Sequence, residues 1–593
     1  MEHRLAGQFN LQRLFDPGNA SDFVLAVPMR GTSVAQASDA ICTLIGCPQF
    51  NDEDAAAVAN ASGLADGLMM AWRRHGIDVT SHIRGGYAFA IADASKGQAF
   101  LAVDRFAIET LCYYADDHSI AFSDQADCVE GRGSELDPQA LFDYLFFHMI
   151  PAPRTIFRKV RRLPAGHSLL VDRQGLHLQR HWPLRFDEKH RQPFSDASSV
   201  LRTLISNAVA RETEGHDRVG AFLSGGTDSS TVAGMLCQVI GGAAPTYSIG
   251  FEADGYDEME YARLAAKHFG CEHHEYYVTP ADLLSSISAV GQHFDQPFGN
   301  SSALPAYYCA KMSLADGCTK MLAGDGGDEL FGGNTRYATQ RFLNTYHLLP
   351  LRARRFIEPM CGDDSVLRRI PGLRQATGYV RHSRLPMPHR LQSMNLAMQL
   401  DPATMLTADF LARIDVAEPA RHMQDTWDAC EANSLVNQML AYDWRYTLAD
   451  SDLRKVHGAT SMAGIAVGYP LLSDELVDFS MTLPPAWKLR GFKLRWFFKE
   501  AMRGFLPDEI IAKKKQGFGL PYGPWTARNP ALRKLAHDSL QGLVDRRIVR
   551  EPFVAQLIDR QLDEHPGYYG EMIWILMMLE QWLRGHPDAH LPS

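Results

Sequence analysis

The chain has 593 residues, 46% of them hydrophobic and 22% charged, which is more than one ordinary core organises, so at least two domains are expected. Its formal net charge of -10 is spread along the sequence, which speaks against nucleic acid or an anionic membrane surface as a partner. Ten scattered cysteines without a CxxC pair, an N-terminus without a signal-like apolar run, and no stretch of about 18 apolar residues predict a soluble protein of the reducing cytoplasm.

Up to about Trp182 the pattern is that of short strands between polar or Gly-containing turns, with apolar runs at Gly86–Asp93, Gln98–Val103 and His167–Val171. Packed sheets are expected there. The charged stretch Phe186–Ser195 contains Pro193 and predicts a boundary between a first domain over 1–185 and a second over 196–593. Beyond it the order becomes strand (Arg218–Leu223), helix (Thr231–Ile240), strand (Thr246–Phe251), which predicts a parallel sheet with ligands at the carboxyl ends of its strands. From about Arg336 helical segments rich in Leu, Met and Arg dominate, as expected of a helical extension.

The sharpest local signal follows the first of these strands: Leu223, then Ser224-Gly225-Gly226-Thr227-Asp228-Ser229-Ser230, directly before a helix. Two glycines let backbone approach a phosphate chain closely, and the hydroxyls and N–H groups at a helix start bind anionic oxygens. A plain Ser/Gly turn with an N-cap is the simpler explanation of such a string, but the strand before it and the helix after it favour phosphate. No Gly-Lys-Ser/Thr follows, so this is not a Walker loop. The segment resembles the pyrophosphate loop of the N-type ATP pyrophosphatases, which implies cleavage of ATP to AMP and pyrophosphate and hence adenylation.

About a hundred residues later, Leu322–Gly333 (LAGDGGDELFGG) places three carboxylates and five glycines in twelve positions, the composition of a loop that lies against a ligand, its acids needing a cation between them. SGGxDSS followed by GDGGDELFGG resembles the paired signature of the asparagine synthetase family. The resemblance continues through Tyr247–Phe251, Tyr256-Asp257-Glu258, His273-His274-Glu275 and Asp295-Gln296-Pro297. It implies ATP as substrate, with Leu223 to Ser230, Ser248, Ile249, Gly250, Gly324, Asp325 and Gly326 at the nucleotide, and Mg²⁺ held by Asp228 and Asp328. A metal site made of His273, His274 and Glu275 is disfavoured, because the three are sequential and no further ligand set accompanies them.

Gly491–Ala501 and Lys513–Phe518 resemble the family's C-terminal basic segments, although each also reads as a solvated helix face. Cations suit an acyl-adenylate because negative charge develops on the leaving pyrophosphate and on the oxyanion. The family's catalytic lysine precedes an Arg-Glu-Ala by four positions. Counting back from Lys499-Glu500-Ala501 reaches Arg495, with Lys493 two residues earlier, so Arg495, Lys493 and Lys515 are the candidate catalytic cations.

The N-terminal domain resembles the family's glutaminase through Arg84–Phe89, Val103-Asp104-Arg105, Cys112-Tyr113-Tyr114 and Arg154–His167. The implied fold class is α/β: an Ntn-hydrolase-like αββα sandwich followed by a parallel-sheet ATP pyrophosphatase domain with a helical extension. That glutaminase needs a cysteine directly after the initiator methionine. Here the sequence reads Met1-Glu2-His3, the first cysteine is Cys42, and the family's Asn-Gly-Glu and Arg-Gly-Pro-Asp segments are missing. A degenerate domain without glutamine hydrolysis is expected.

Where the family carries Glu-Val-Arg before Pro-Phe-Leu-Asp, this chain has Ala466-Val467-Gly468-Tyr469-Pro470-Leu471-Leu472-Ser473-Asp474, small residues that suit a larger or different acceptor. Relatives with a dead glutaminase include the β-lactam synthetases, whose base is a tyrosine at the position of Asp325, and the lasso peptide cyclases. Asp452–Val456 and Pro470–Asp474 resemble the cyclases more. That resemblance implies a leader-cleaved precursor peptide as substrate, adenylated on an Asp or Glu side chain and closed by its own N-terminal amine, and a leader peptidase or recognition protein as partner. Ammonia-dependent asparagine formation, another amide or β-lactam-type synthetase, and a non-catalytic scaffold are the alternatives.

Overall fold

The computed structural model describes residues 5–15, 24–26, 32–129, 131, 133–189, 192–253, 255–361, 373–392, 395, 399–514 and 519–592. The first part is two antiparallel sheets face to face. One has five strands in the order Arg161–Arg162, Cys112–Ala115, Ser119–Ser123, Ala6–Asn10, Val24–Ala26, and the other six, Gly175–Arg180, His167–Asp172, Gln98–Val103, Tyr87–Asp93, Ala40–Gly46, Ser33–Gln36. Tyr87–Asp93 explains why its sequence is apolar throughout instead of alternating. Ala88, Ala90 and Ala92 face the other sheet with Phe9, Ile120 and Phe122, while Phe89 and Ile91 face Leu68 and Trp72 of the helix Leu64–His75. A strand covered on both faces has no polar side to show. The helix Pro138–Phe147 packs beyond the five-stranded sheet, where Leu141 shares an apolar cluster with Cys112 and Ala121, so the layering is αββα as expected.

The second part is built on five parallel strands in the order Glu272–Val278, Pro245–Phe251, Val219–Phe222, Lys320–Leu322, Ala466–Gly468. The chain winds outward from Val219–Phe222 in one direction and then returns to its other side, so the order reverses between Val219–Phe222 and Lys320–Leu322. In an open parallel sheet, that reversal opens a crevice at the carboxyl ends of the two strands. The Ser224–Ser230 loop leaves one of them and the Ala323–Gly333 loop leaves the other, so segments a hundred residues apart are brought together by topology.

Two expectations about elements change. The helix begins at Thr227, inside the phosphate motif, with Gly226 as its N-cap, and not at Thr231. Ala466–Gly468, in the stretch expected to be helical, is the fifth strand, and it lies outside the ligand crevice. A Cβ on Gly468 would fall 2.2 Å from Glu212 Oε2 and 2.9 Å from Lys320 Cε, so the glycine makes room for the Lys320–Glu212 ion pair rather than for a larger substrate.

The charged stretch after Trp182 is held against the second part. Glu188 Oε1 accepts hydrogen bonds from Ser434 N, Ser434 Oγ and Asn437 Nδ2, and Phe186 lies 5.2 Å from the Trp444 ring. Trp444 also stacks on Trp182 at 5.5 Å, and Arg105 reaches Asp474 at 2.6 Å and Asp478 at 2.5 Å. Among the described residues, no helix is long and apolar enough to cross a membrane.

Candidate active site

The two glycine-rich loops meet with almost no side-chain volume between them. A Cβ on Gly324 would stand 2.8 Å from Ser229 N, and one on Gly327 would stand 2.4 Å from Asp228 Cγ, closer than real Cβ contacts come. Gly225 takes φ +69, and a Cβ there would meet the backbone of Tyr261 and Ala262 at 2.5 Å, so the phosphate turn is compatible with glycine alone. Within the turn, Ser224 Oγ lies 3.0 Å from Ser229 Oγ, and Ser229 Oγ accepts from Ser224 N at 3.2 Å.

A cavity of about 450 Å³ opens over this junction. Of the residues expected at the nucleotide, Leu223, Ser224, Gly226, Thr227, Asp228, Ser229, Ser248, Ile249, Gly324, Asp325 and Gly326 line it, as do Asp328 and Arg495. Ser248 Oγ donates to the Leu223 carbonyl, fixing the strand end beside the loop. The first turn of the helix Thr227–Ile240 therefore faces the cavity, where its N–H groups and dipole favour phosphate oxygens.

Other expected residues lie elsewhere. Gly250 packs under the Tyr277 ring, where a Cβ would approach Cε1 to 2.6 Å, so its smallness serves strand packing and not ligand contact. Ser230 is buried in its helix and lines no part of the cavity. Gly225 contributes its carbonyl, which accepts from Lys513 Nζ at 3.4 Å, rather than a cavity wall. Lys493 sits exposed on the hairpin Leu489–Arg490/Lys493–Leu494, because the strand turns its side chain outward, whereas Arg495 turns in. Lys515 lies outside the described residues.

Arg495 occupies the centre of the site. It is the left-handed residue (φ +50) between that hairpin and the helix Trp496–Ala501, and its N–H donates to the Gly332 carbonyl. Its Nη1 contacts both oxygens of Asp228 at 2.6 Å, and its Nη2 lies 2.8 Å from Asp328 Oδ1. Burial works against the guanidinium's charge, but the carboxylates outweigh it and hold its pKa above the ordinary arginine value.

Sequence reading assigned no site role to several further residues. Lys513, whose side chain is 9% exposed, pairs with Glu258 at 3.2 Å and lies 4.4 Å over the Tyr261 ring, beside the phosphate loop. Lys455 Nζ stands 3.3 Å from Asp325 Oδ1 and 3.0 Å from Asp452 Oδ1; burial opposes its charge, and the two acids raise its pKa above the usual lysine value. Asn300 and Thr447 complete the wall at that end. Lys513 belongs to a segment already read as basic, and Asp452 and Lys455 to the stretch Asp452–Val456 that resembles the cyclases, but the sequence marks neither Asp452 nor Lys455 as part of a cavity wall.

The asparagine synthase family pattern matches residues 200–584, and that of a glutamine amidotransferase domain matches 54–182. Glutamine-hydrolyzing asparagine synthetase 1 of Bacillus subtilis is 21% identical over 522 residues, spanning 87% of this chain and 80% of that protein. A putative glutamine-hydrolyzing asparagine synthetase of Mycobacterium tuberculosis is 23% identical over 543 residues, spanning 89% of this chain and 80% of its own length. A putative asparagine synthetase of Methanocaldococcus jannaschii is 30% identical over 290 residues, 47% of this chain and 55% of that protein.

Proposed function

Because the chain belongs to the asparagine synthase family, we propose that it is an ATP-dependent amide ligase that adenylates a side-chain carboxylate of a leader-free peptide and closes a macrolactam with the peptide's own N-terminal amine. The ligase is AMP-forming: the carboxylate attacks the α-phosphorus, pyrophosphate leaves, and the acyl-adenylate is consumed by the amine.

The observation that carries this reading is the contrast between the two halves. The ATP cavity has both loops and its cations in place, while the described cysteines of the N-terminal sandwich are unsuited to glutamine hydrolysis. Cys42 is fully buried in the strand Ala40–Gly46, and burial first, then Asp66, pushes its thiol pKa up. Burial likewise pushes Cys112 up to about 12, and the Cys47 thiol, at the surface yet hemmed in by the chain, is raised as well. A nucleophilic thiol needs the opposite, a pKa lowered toward neutrality. Nitrogen that is not released from glutamine has to arrive with the substrate or as ammonia. An attached amine makes the attack intramolecular, which can offset on the order of 7–11 kcal/mol of barrier in the best-oriented cases.

Magnesium fits the acids present. Among the described residues, no group of three or more His, Cys, Asp or Glu side chains is arranged to hold a metal. Asp228 and Asp328 nevertheless converge on one point, now satisfied by Arg495, and Mg²⁺ is ordinarily held by one or two carboxylates plus substrate phosphates. Bound there, the ion would neutralise charge on the ATP phosphates. Arg495 and Lys513 would stabilise departing pyrophosphate, and the helix start at Thr227 would orient the phosphate chain.

The product decides the reading. ATP, Mg²⁺ and a leader-free peptide carrying a free N-terminal amine and an Asp or Glu side chain should yield a species lighter by one water, with AMP and pyrophosphate in equal amounts and no dependence on ammonium; tandem mass spectrometry places the new bond. Efficient conversion of free aspartate and ammonium to asparagine, with every candidate peptide ignored, would replace the cyclase by an ammonia-dependent asparagine synthetase. Glutamine should release no glutamate at a rate near that of ATP turnover, and Cys42→Ser and Cys47→Ser should leave product formation unchanged. Glutaminase activity matching ligation would restore the N-terminal domain as a nitrogen source.

A further inference from the structure

We propose that Cys237 and Cys271 are a reversible thiol pair that hydrogen peroxide oxidises to a disulfide, tying the far end of the phosphate-loop helix to the neighbouring strand and leaving the phosphate turn undisturbed. Their sulfurs lie 3.6 Å apart. A disulfide bond is about 2.05 Å long, so roughly 1.5 Å of side-chain movement separates the contact from the bond. The backbone is fixed on both sides. Gly242 N donates to the Cys237 carbonyl at 3.2 Å, and Cys271 N donates to the Ala266 carbonyl at 2.9 Å.

Cys237 is ten residues past Thr227 in the helix Thr227–Ile240. Cys271 follows Gly270, the left-handed C-cap of the helix Met259–Phe269, and leads directly into the strand Glu272–Val278. The two helices touch at both ends. Near the cavity the Gly225 turn rests on the backbone of Tyr261 and Ala262; further out, Gly234 makes room for the Phe269 ring, where a Cβ would stand 2.5 Å from Cε1. The sulfurs meet about one turn beyond Gly234. At about 1.5 Å of rise per residue, that is about 15 Å from the helix start at Thr227.

Other cysteines have other neighbours. Cys318 Sγ lies 3.3 Å from the Tyr247 hydroxyl, Cys128 Sγ 3.5 Å from Gln125 Oε1, and Cys430 Sγ 4.0 Å from the Leu184 carbonyl oxygen. Cys237 is 8% exposed and Cys271 is partly exposed, which leaves a molecule as small as peroxide a way to the pair. The hydrogen bond from Cys271 holds the Cys237 thiol pKa below its ordinary value although burial opposes it, and Cys237 in turn raises that of Cys271. One sulfur is thus poised as the thiolate beside a partner that keeps its proton, as an oxidisable thiol is beside its resolving cysteine.

The Cys237 thiolate attacks one oxygen of hydrogen peroxide, the O–O bond breaks, and hydroxide leaves and takes the Cys271 proton. The Cys271 sulfur then attacks the Cys237 sulfur, the S–O bond breaks, and the second hydroxide takes up the proton that the Cys237 thiol had released. Two thiols and one peroxide become one disulfide and two waters, with two electrons passing from sulfur to oxygen. In a reducing compartment thiol exchange returns the pair to its reduced form.

The folded wild-type chain, treated with hydrogen peroxide, quenched, blocked with a maleimide and digested without reduction, tests the pair. Tandem mass spectrometry should find Cys237 joined to Cys271 before the other cysteines are oxidised, and dithiothreitol should restore all ten thiols. The link constrains the unfolded chain and should raise the thermal midpoint by roughly 2 °C or more. ATP/pyrophosphate exchange by the linked protein should stay within about twofold of the reduced protein, because the bond forms two to three helical turns from the phosphate turn. Cys237→Ser and Cys271→Ser should each abolish both the link and the midpoint shift, whereas Cys47→Ser should keep both. Should Cys237→Ser fold poorly, Cys271→Ser at the partly exposed position decides. All ten thiols free after peroxide, sulfinic acid at Cys237 in place of the link, a midpoint that does not move, or exchange lost as the link forms would each overturn the assignment. If the reduced wild type shows no exchange at all, the adenylating reading fails, and the mass, thiol and midpoint readouts still decide the pair.

Discussion

Asp228→Asn and Asp328→Asn should each lower ATP/pyrophosphate exchange by about a thousandfold or more while leaving the protein folded. The two carboxylates approach one guanidinium from different loops, and the loops are locked by contacts that admit no side chain at Gly324 or Gly327, so neither acid can be replaced by a neighbour's movement. Replacing oxygen by an amide keeps the volume and removes the charge that would hold the metal. Metal stabilisation of phosphoryl charge is worth several kcal/mol, and each 1.36 kcal/mol is about tenfold in rate. Stability should not suffer, because two acids now share one arginine and removal of either relieves repulsion. Circular dichroism and thermal unfolding would confirm the fold; exchange near the wild-type rate in either variant would remove Asp228 and Asp328 from the metal site.

Arg495→Met should produce the second large effect, with an asymmetry that identifies its cause. The guanidinium contributes charge where pyrophosphate departs, so exchange at saturating Mg²⁺ should fall by about a hundredfold or more, the scale seen when one preorganised transition-state donor is lost. The same guanidinium competes with a cation for Asp228 and Asp328, so the Mg²⁺ concentration giving half-maximal exchange should decrease in the variant. A slower enzyme that needs less magnesium is the expected result. An unchanged rate would pass the catalytic role to another cation, and an increased magnesium requirement would show that Arg495 arranges the acids for the metal instead of competing with it. Lys493→Met, on the exposed face of the hairpin, should leave exchange close to wild type.

The contrast between Arg495 and Lys493 marks the limit of local sequence. Both residues belong to one basic segment, and counting from the family motif leaves two carriers for one role. The hairpin and the left-handed turn at Arg495 resolve it by pointing one side chain into the cavity and the other to solvent. Ala466 and Gly468 make the same point in the other direction. Small residues beside a site suggest space for a large substrate, yet the backbone there is an edge strand of the parallel sheet, and the missing side chain of Gly468 accommodates Lys320 and Glu212.

The sequence by itself determined the layered fold class, the two glycine-rich loops and their acids, because each depends on neighbours in the chain: strand, tight glycine turn, helix start. The tertiary structure alone decided that Asp228 and Asp328 share Arg495, that Lys513 meets Glu258, and that Asp452 and Lys455 close the far end of the cavity beside Asp325. These partners are separated by up to several hundred residues, and what joins them is the reversal of strand order between Val219–Phe222 and Lys320–Leu322 together with a π-helix that rotates one carboxylate into the crevice. Periodicity and spacing report on contacts a few residues away, whereas the charge balance of a buried cavity is fixed by which distant side chains the packed sheet forces to share it.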